Sequence, residues 1–189
     1  MSDLLLSSLN KFYSKKENYD DLDKIINGKD DISLRLIDWF VTNYSKKHNV
    51  IYLLNKMERT IVCDKIDTNE GNISQINVFQ EYKSQLKAFS KKKFDPFCRR
   101  ERIEFNCNEK ILNTTMGQLN FFRWAIMTRI LDYIKINKSQ IEDDMNVSLK
   151  NMKDIDKKNK NGRKSRQELS KSALRGLNKN KLSVFITFN

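Results

Sequence analysis

The stretch TTMGQLNFFRWAIMTRILDYIKIN, residues 114–137, decides the fold. Leu119, Phe122, Ile126, Ile130 and Tyr133 recur at steps of three and four, which lines apolar groups along one helix face. Phe121, Ala125 and Ile134 widen that face, and a stripe so broad belongs in a core. Thr114 or Thr115 supplies the N-cap, because a threonine hydroxyl accepts from an N–H that the first helical turn leaves unbonded. The spacing predicts a single helix over 115–136. Arg123, Arg129 and Asp132 interrupt it, so it is not a membrane span, which needs about 20 apolar residues.

Toward the N-terminus, Leu5, Leu6, Leu9, Phe12 and Tyr13 predict a helix over 3–13, capped by Ser2 or Asp3. Residues 17–29 read as a polar stretch that stops at Asn27-Gly28. Asp30, Asp31 or Ser33 then caps a helix through Leu34, Ile37, Val41 and Tyr44, ending at Asn49 with His48 in its last turn. Val50–Leu54 and Thr60–Cys63 are β-rich runs joined by a hairpin loop, and Ile76–Phe79 reads as a third strand. Tyr82, Leu86 and Phe89 predict a short helix, Pro96 a break, and Ile103, Phe105 and Cys107 a strand over 102–107. Beyond the central helix, residues 138–150 predict a thinner helix. The expectation is an α+β protein with a small, mostly antiparallel sheet (strands near 50, 60, 76, 103 and 183) packed against three or four helices. Its domain covers 1–149, a basic arm 150–181, and a C-terminal strand, 182–189, returns to the sheet.

The chain of 189 residues is rich in core material, with 11 Phe, 6 Tyr and 2 Trp, and carries a net charge of +12. Net charge speaks to partners rather than fold; nucleic acid (DNA or RNA), acidic protein and anionic lipid surfaces are the natural candidates. An AT-rich genome would also raise the Lys, Asn and Ile content without any selected partner. An odd set of cysteines, Cys63, Cys98 and Cys107, with no signal peptide and no apolar run of membrane length, fits a reducing intracellular compartment.

The charge concentrates in two places. The first is Lys83, Lys87, Lys91, Lys92, Lys93, Arg99, Arg100 and Arg102, interleaved with Phe89, Phe94 and Phe97. Cations beside aromatics are the pattern of single-strand binding, although rings are usually buried, and the favoured reading of these Phe residues is the core under a basic rim. Arg99 and Arg100 stand out, because guanidinium meets phosphate with two prongs and lysine does not. The second is the arm, with Lys157, Lys158, Lys160, Arg163, Lys164, Arg166, Lys171 and Arg175. Its composition is that of a segment which orders on docking, and its cations suit counterion release from a phosphate backbone.

Signatures of catalysis are weak. P-loop, G-x-G-x-x-G and G-x-S-x-G patterns are absent. His48, Cys63, Cys98 and Cys107 lack the close spacing of a zinc site, and Cys98 beside two arginines has no companion base. Asp64, Asp67, Glu101 and Glu104 near lysines leave a metal-dependent nuclease as an alternative without a recognised spacing. No catalytic residue, metal site or cofactor is assigned. Trp39 and Trp124 read as core or core-rim packing.

Three stretches, SLRLIDWFVTNYSKK (33–47), YKSQLKAFSKKKFDPFCRRER (82–102) and QLNFFRWAI (118–126), with RQELSKS at 166–172, carry a resemblance. Together the chain resembles uncharacterised proteins of the giant nucleocytoplasmic large DNA viruses. The resemblance implies a viral origin and a role in the virion or the replication compartment, in host cytoplasm, and transfers no functional residue. The expected function is non-enzymatic binding of a polyanion, nucleic acid first. A viral structural protein contacting acidic proteins or a membrane surface is the alternative.

Overall fold

Helix α6 (Met116–Met127) is the axis of the structure. In the computed structural model, which describes residues 2–55, 57, 60–62, 72–107 and 110–158, Leu119, Phe121, Phe122 and Ala125 are fully buried. Thr115 caps the helix, its side chain accepting from the Gln118 N–H at 3.1 Å. The single helix expected over 115–136 is in fact two. Thr128 donates its hydroxyl back to the Trp124 carbonyl at 2.7 Å, and Arg129 adopts a left-handed φ of 59°. The chain then restarts as α7 (Ile130–Ile136), which buries Ile130, Leu131 and Ile134. Hydrophobic periodicity cannot register this break, because three- and four-residue steps resume on its far side. A non-glycine residue in this conformation costs about 1–2 kcal/mol, offset here by burial of α7 and an Arg129–Asp132 ion pair.

The N-terminal helix α1 (Ser2–Tyr13) lies against α6. Leu9 and Tyr13 are fully buried, and the Tyr13 hydroxyl donates to the Leu119 carbonyl at 2.7 Å, bridging 106 positions. Residues read as a polar stretch form a second helix, α2 (Lys16–Ile26), which buries Asn18, Tyr19, Leu22 and Ile25. Its charged residues hide a stripe at steps of three. It ends where expected, at Asn27 and at Gly28 with φ 65°, a conformation glycine adopts without a Cβ penalty.

Ser33 caps the next helical segment by accepting from the Leu36 N–H at 3.2 Å. It runs as α3 (Leu34–Trp39), a π-helical turn over Phe40–Tyr44, and α4 (Ser45–Lys47). Asn49, with φ 47°, turns the chain into the sheet. The three antiparallel strands β1 (Ile51–Asn55), β2 (Thr60–Val62) and β3 (Ile73–Asn77) take the order β2-β1-β3. Tyr52 faces Ile76 across the central pair. The strand expected at 76–79 thus lies earlier. Val78 and Phe79 open α5 (Val78–Phe89), because Asn77 accepts from the Gln80 N–H at 3.1 Å and caps a helix there.

Strands β4 (Ile103–Cys107) and β5 (Lys110–Thr114) pair as a separate hairpin, with Phe105 opposite Leu112. The α+β architecture stands, but among the described residues the strands form two sheets rather than the single one expected, and β5 was not anticipated. The last element among the described residues, α8 (Lys138–Lys158), passes through the expected boundary at 149/150, so the first residues assigned to the arm are helical. The rest of the arm and the expected strand at 182–189 lie outside the described residues.

Candidate polyanion-binding site

The basic run at 83–102 starts on α5 and leaves it at Ser90, whose φ of 55° ends the helix and turns Lys91–Lys93 away. The run returns to the core through Phe94. That ring is 1% exposed and packs against Phe121, Trp124 and Tyr82, with centroids 5.1, 5.4 and 6.0 Å away. Phe94 is therefore an anchor and not a surface for stacking bases. Phe89 packs half-buried against the same core. Phe97 is half-buried beneath the Arg99 guanidinium, 4.5 Å from the ring centre.

Polar groups of α6 pin the loop that follows. The Asn120 amide donates to the Lys93 carbonyl at 2.9 Å, and the Gln118 amide to the Pro96 carbonyl at 2.9 Å. The Asp95 N–H donates to the Gly117 carbonyl at 3.2 Å. Thr114 fixes the Gln118 side chain by donating to its Oε1 at 2.8 Å. Gly117 makes the approach feasible, since a Cβ there would meet the Lys92 carbonyl oxygen at 3.2 Å. Gln118 and Asn120, each 1% exposed, were not singled out from sequence. The available signal was two amides inside an otherwise apolar helix face, which burial permits only with partners.

This docking gathers three of the candidate cations. Lys92, Lys93 and Arg100 line one cavity of about 370 Å³ with Glu101 and the first turn of α6 at Thr115–Gly117. A helix N-terminus carries partial positive charge and favours anions, so the cations and the helix end reinforce one another. The remaining cations are deployed differently. Arg99 donates to Asp95 from both Nε and Nη2, at 3.0 and 2.8 Å. Lys83 lies 5.6 Å from the centre of the Phe79 ring, and Lys46 approaches that ring at 5.7 Å. Lys87 and Arg102 are exposed, Lys91 is half-buried, and none of the three lines the cavity. Lys157 and Lys158 close α8. Lys160, Arg163, Lys164, Arg166, Lys171 and Arg175 lie outside the described residues.

A buried carboxylate lies near this loop. Asp38 on α3 is 7% exposed. Burial first, and then the neighbouring Asp95 charge, push its pKa up to about 6, against the pull of Arg99 and Lys91. Only two of the acids considered for metal chemistry fall among the described residues. Glu101 and Glu104 are exposed, Asp64 and Asp67 lie outside the described residues, and among the described residues no three His, Cys, Asp or Glu side chains converge. Of the cysteines, Cys107 approaches the Tyr13 carbonyl at 3.0 Å, Cys98 is half-buried, and Cys63 lies outside the described residues. Trp39 donates its indole N–H to Asp144 at 3.2 Å, whereas the buried Trp124 N–H has no partner among the described residues.

A model described as a family of unknown function, DUF7197, matches residues 1–185. An uncharacterized protein of Acanthamoeba polyphaga mimivirus is 38% identical over 177 residues, covering 89% of this chain and 61% of the relative. The chain thus spans about three fifths of that relative's length. The resemblance to an uncharacterised giant-virus protein holds over most of the chain. No solved structure matches. Among the described residues no helix is long and apolar enough to cross a membrane.

Proposed function

We propose that this chain, which belongs to the DUF7197 family of unknown function, is a non-enzymatic polyanion-binding protein whose first partner is nucleic acid. The observation that carries the reading is the cavity where Lys92, Lys93 and Arg100 meet the N-terminal turn of α6. Its three cations and the helix end outnumber its one carboxylate, Glu101, with Ile103 and Met116 as apolar wall, and its volume admits a phosphate with part of its sugar. Lys87 and Arg102 extend the positive field along the same segment, and the +12 net charge supplies long-range attraction. The viral relative favours a working place in the virion or in the cytoplasmic compartment where viral nucleic acid is handled.

The test is fluorescence anisotropy with labelled single- and double-stranded DNA and RNA across salt. Affinity is expected to fall steeply between about 50 and 200 mM salt, with a log–log slope of about −0.9 for each duplex phosphate neutralised. A Lys92→Ala/Lys93→Ala/Arg100→Ala variant should flatten that slope by about 2–3. A flat isotherm, or a slope the triple variant leaves unchanged, overturns the reading. Binding to acidic polypeptide or anionic vesicles but to no nucleic acid would instead identify a structural protein of the particle.

A further inference from the structure

A second cavity, of about 590 Å³, opens between α1, α5 and α6. It lies within the usual volume range of small-molecule sites. Its walls are amphiphilic. Phe12 from α1 and Trp124 and Met127 from α6 supply the apolar part, and Met127 is 54% exposed. Cations come from the α1–α6 side: Lys11, Lys15 and Arg123. The α5 side offers a carboxylate and an amide, Glu81 and Gln85, at positions i and i+4 of one helix face.

Arg123 is the decisive residue. Its guanidinium is half-buried and donates to two neutral acceptors, Ser8 Oγ at 2.9 Å and Asn120 Oδ1 at 2.8 Å. No carboxylate pairs with it among the described residues. Burial lowers its pKa, so its charge is held at a desolvation cost. A desolvated cation held by neutral groups beside an open cavity is suited to an anion from outside.

We propose that this groove binds a nucleotide. Its phosphate meets Arg123, Lys11 and Lys15, its flat body lies along Phe12 and the exposed Met127, against the small part of Trp124 that reaches the groove, and Glu81 and Gln85 accept from and donate to the edge of the base. Inorganic phosphate would leave the apolar walls uncovered. A fatty acid would match the cations and the apolar walls but would bring a hydrocarbon end against Glu81 and Gln85, desolvating them without hydrogen bonds. A nucleotide offers a charged phosphate, apolar faces and a hydrogen-bonding edge, one for each kind of group that lines the groove. The site shares no lining residue with the Lys92–Lys93–Arg100 cavity and does not depend on that cavity's function.

Isothermal titration calorimetry on the full chain tests this with adenosine, guanosine, cytidine and uridine 5′-monophosphates, and with adenosine, inorganic phosphate and decanoate as comparators. At least one nucleotide should bind about tenfold or more tightly than adenosine or phosphate alone. Lys11→Ala/Lys15→Ala, on two exposed side chains, should weaken it about tenfold with the fold intact, and Arg123→Gln should do the same or more. Glu81→Gln should change the ranking of the bases. The loss caused by Lys11→Ala/Lys15→Ala should be the same in a Lys92→Ala/Lys93→Ala background as in the unmodified chain. The proposal is overturned if no nucleotide binds at millimolar concentration, if decanoate binds in preference, if Lys11→Ala/Lys15→Ala has no effect, or if Lys92→Ala/Lys93→Ala abolishes binding.

Discussion

Arg99 grips Asp95 with two hydrogen bonds, 2.8 and 3.0 Å long, from one guanidinium to one carboxylate. The pair lies within a single loop, and it divides the two arginines that sequence ranks equally. Arg99 spends its fork on Asp95 and its face on Phe97, whereas Arg100 lines the cavity at the start of α6. Arg100→Ala should therefore weaken nucleic-acid binding about tenfold at low salt, the scale of a charge-assisted contact. Arg99→Ala should weaken it less than about threefold while lowering the melting temperature, because its exposed ion pair contributes about 1 kcal/mol or less. Parallel anisotropy and thermal melts separate the two effects, and equal losses of affinity would contradict the division.

Gly117→Ala tests whether the loop's seat matters. In an ordinary helix interior this change stabilises by about 1 kcal/mol. Here the new Cβ would press on the Lys92 carbonyl oxygen at 3.2 Å and on the Phe94 nitrogen at 3.4 Å. The expected outcome is a net loss of about 1 kcal/mol by urea denaturation, together with weaker polyanion binding as Lys92 and Lys93 are displaced. A gain in stability would mean the loop yields freely.

Asp38 and Asp144 should give opposite pH signatures. Burial first, with the Asp95 charge added, raises the Asp38 pKa to about 6. The unfolded chain loses this proton near the ordinary carboxylate value of about 3.9, so folding stability declines as pH rises from there through about 6. Asp38→Asn should remove that decline and stabilise the protein at neutral pH by an amount on the order of 2 kcal/mol. Chemical denaturation at pH 4 and pH 7 checks it, with the gain confined to the higher pH.

At Asp144 burial alone would raise the pKa, but hydrogen bonds from Lys47, Trp39 and His48 outweigh it and hold the carboxyl below its ordinary value. Its stabilisation is present at neutral pH and is lost as pH falls through that depressed value. Asp144→Ala should cost about 1–3 kcal/mol at pH 7, since it strips partners from a residue that joins α8 to α3 and α4. The cost should shrink in acid. A pH-independent loss would assign Asp144 a packing role alone.

The helices α1, α3 and α5 and the strands β1 and β4 were legible because each rests on a strong local rule. Leu9 and Tyr13 sit at helical spacing, Ser33 caps, and Ile103 and Phe105 alternate. What stayed hidden depended on a partner or on one backbone angle. The α2 stripe of Tyr19, Leu22 and Ile25 is masked by surrounding charge until α1 and α6 are present to receive it. The left-handed turn at Arg129 leaves the hydrophobic step intact, and β5 is recognisable chiefly by its pairing with β4. The basic run was visible as a run, but not which of its cations share a cavity. That depends on Gly117, Gln118 and Asn120, a score of residues further along the chain. The core role of Phe94 followed the general tendency of rings to be buried.

The hydrogen bond from Tyr13 to the Leu119 carbonyl has a consequence for synthesis. Tyr13 is fully buried in the finished protein, yet its acceptor lies 106 positions later. At about 5–20 residues per second, translation takes roughly 5–20 s to deliver it. Throughout that interval α1 has α2, but not α6, to cover its apolar face. The nascent chain carries an incompletely covered amphipathic helix until α6 leaves the ribosome, and the burial of Tyr13 waits on the arrival of that segment.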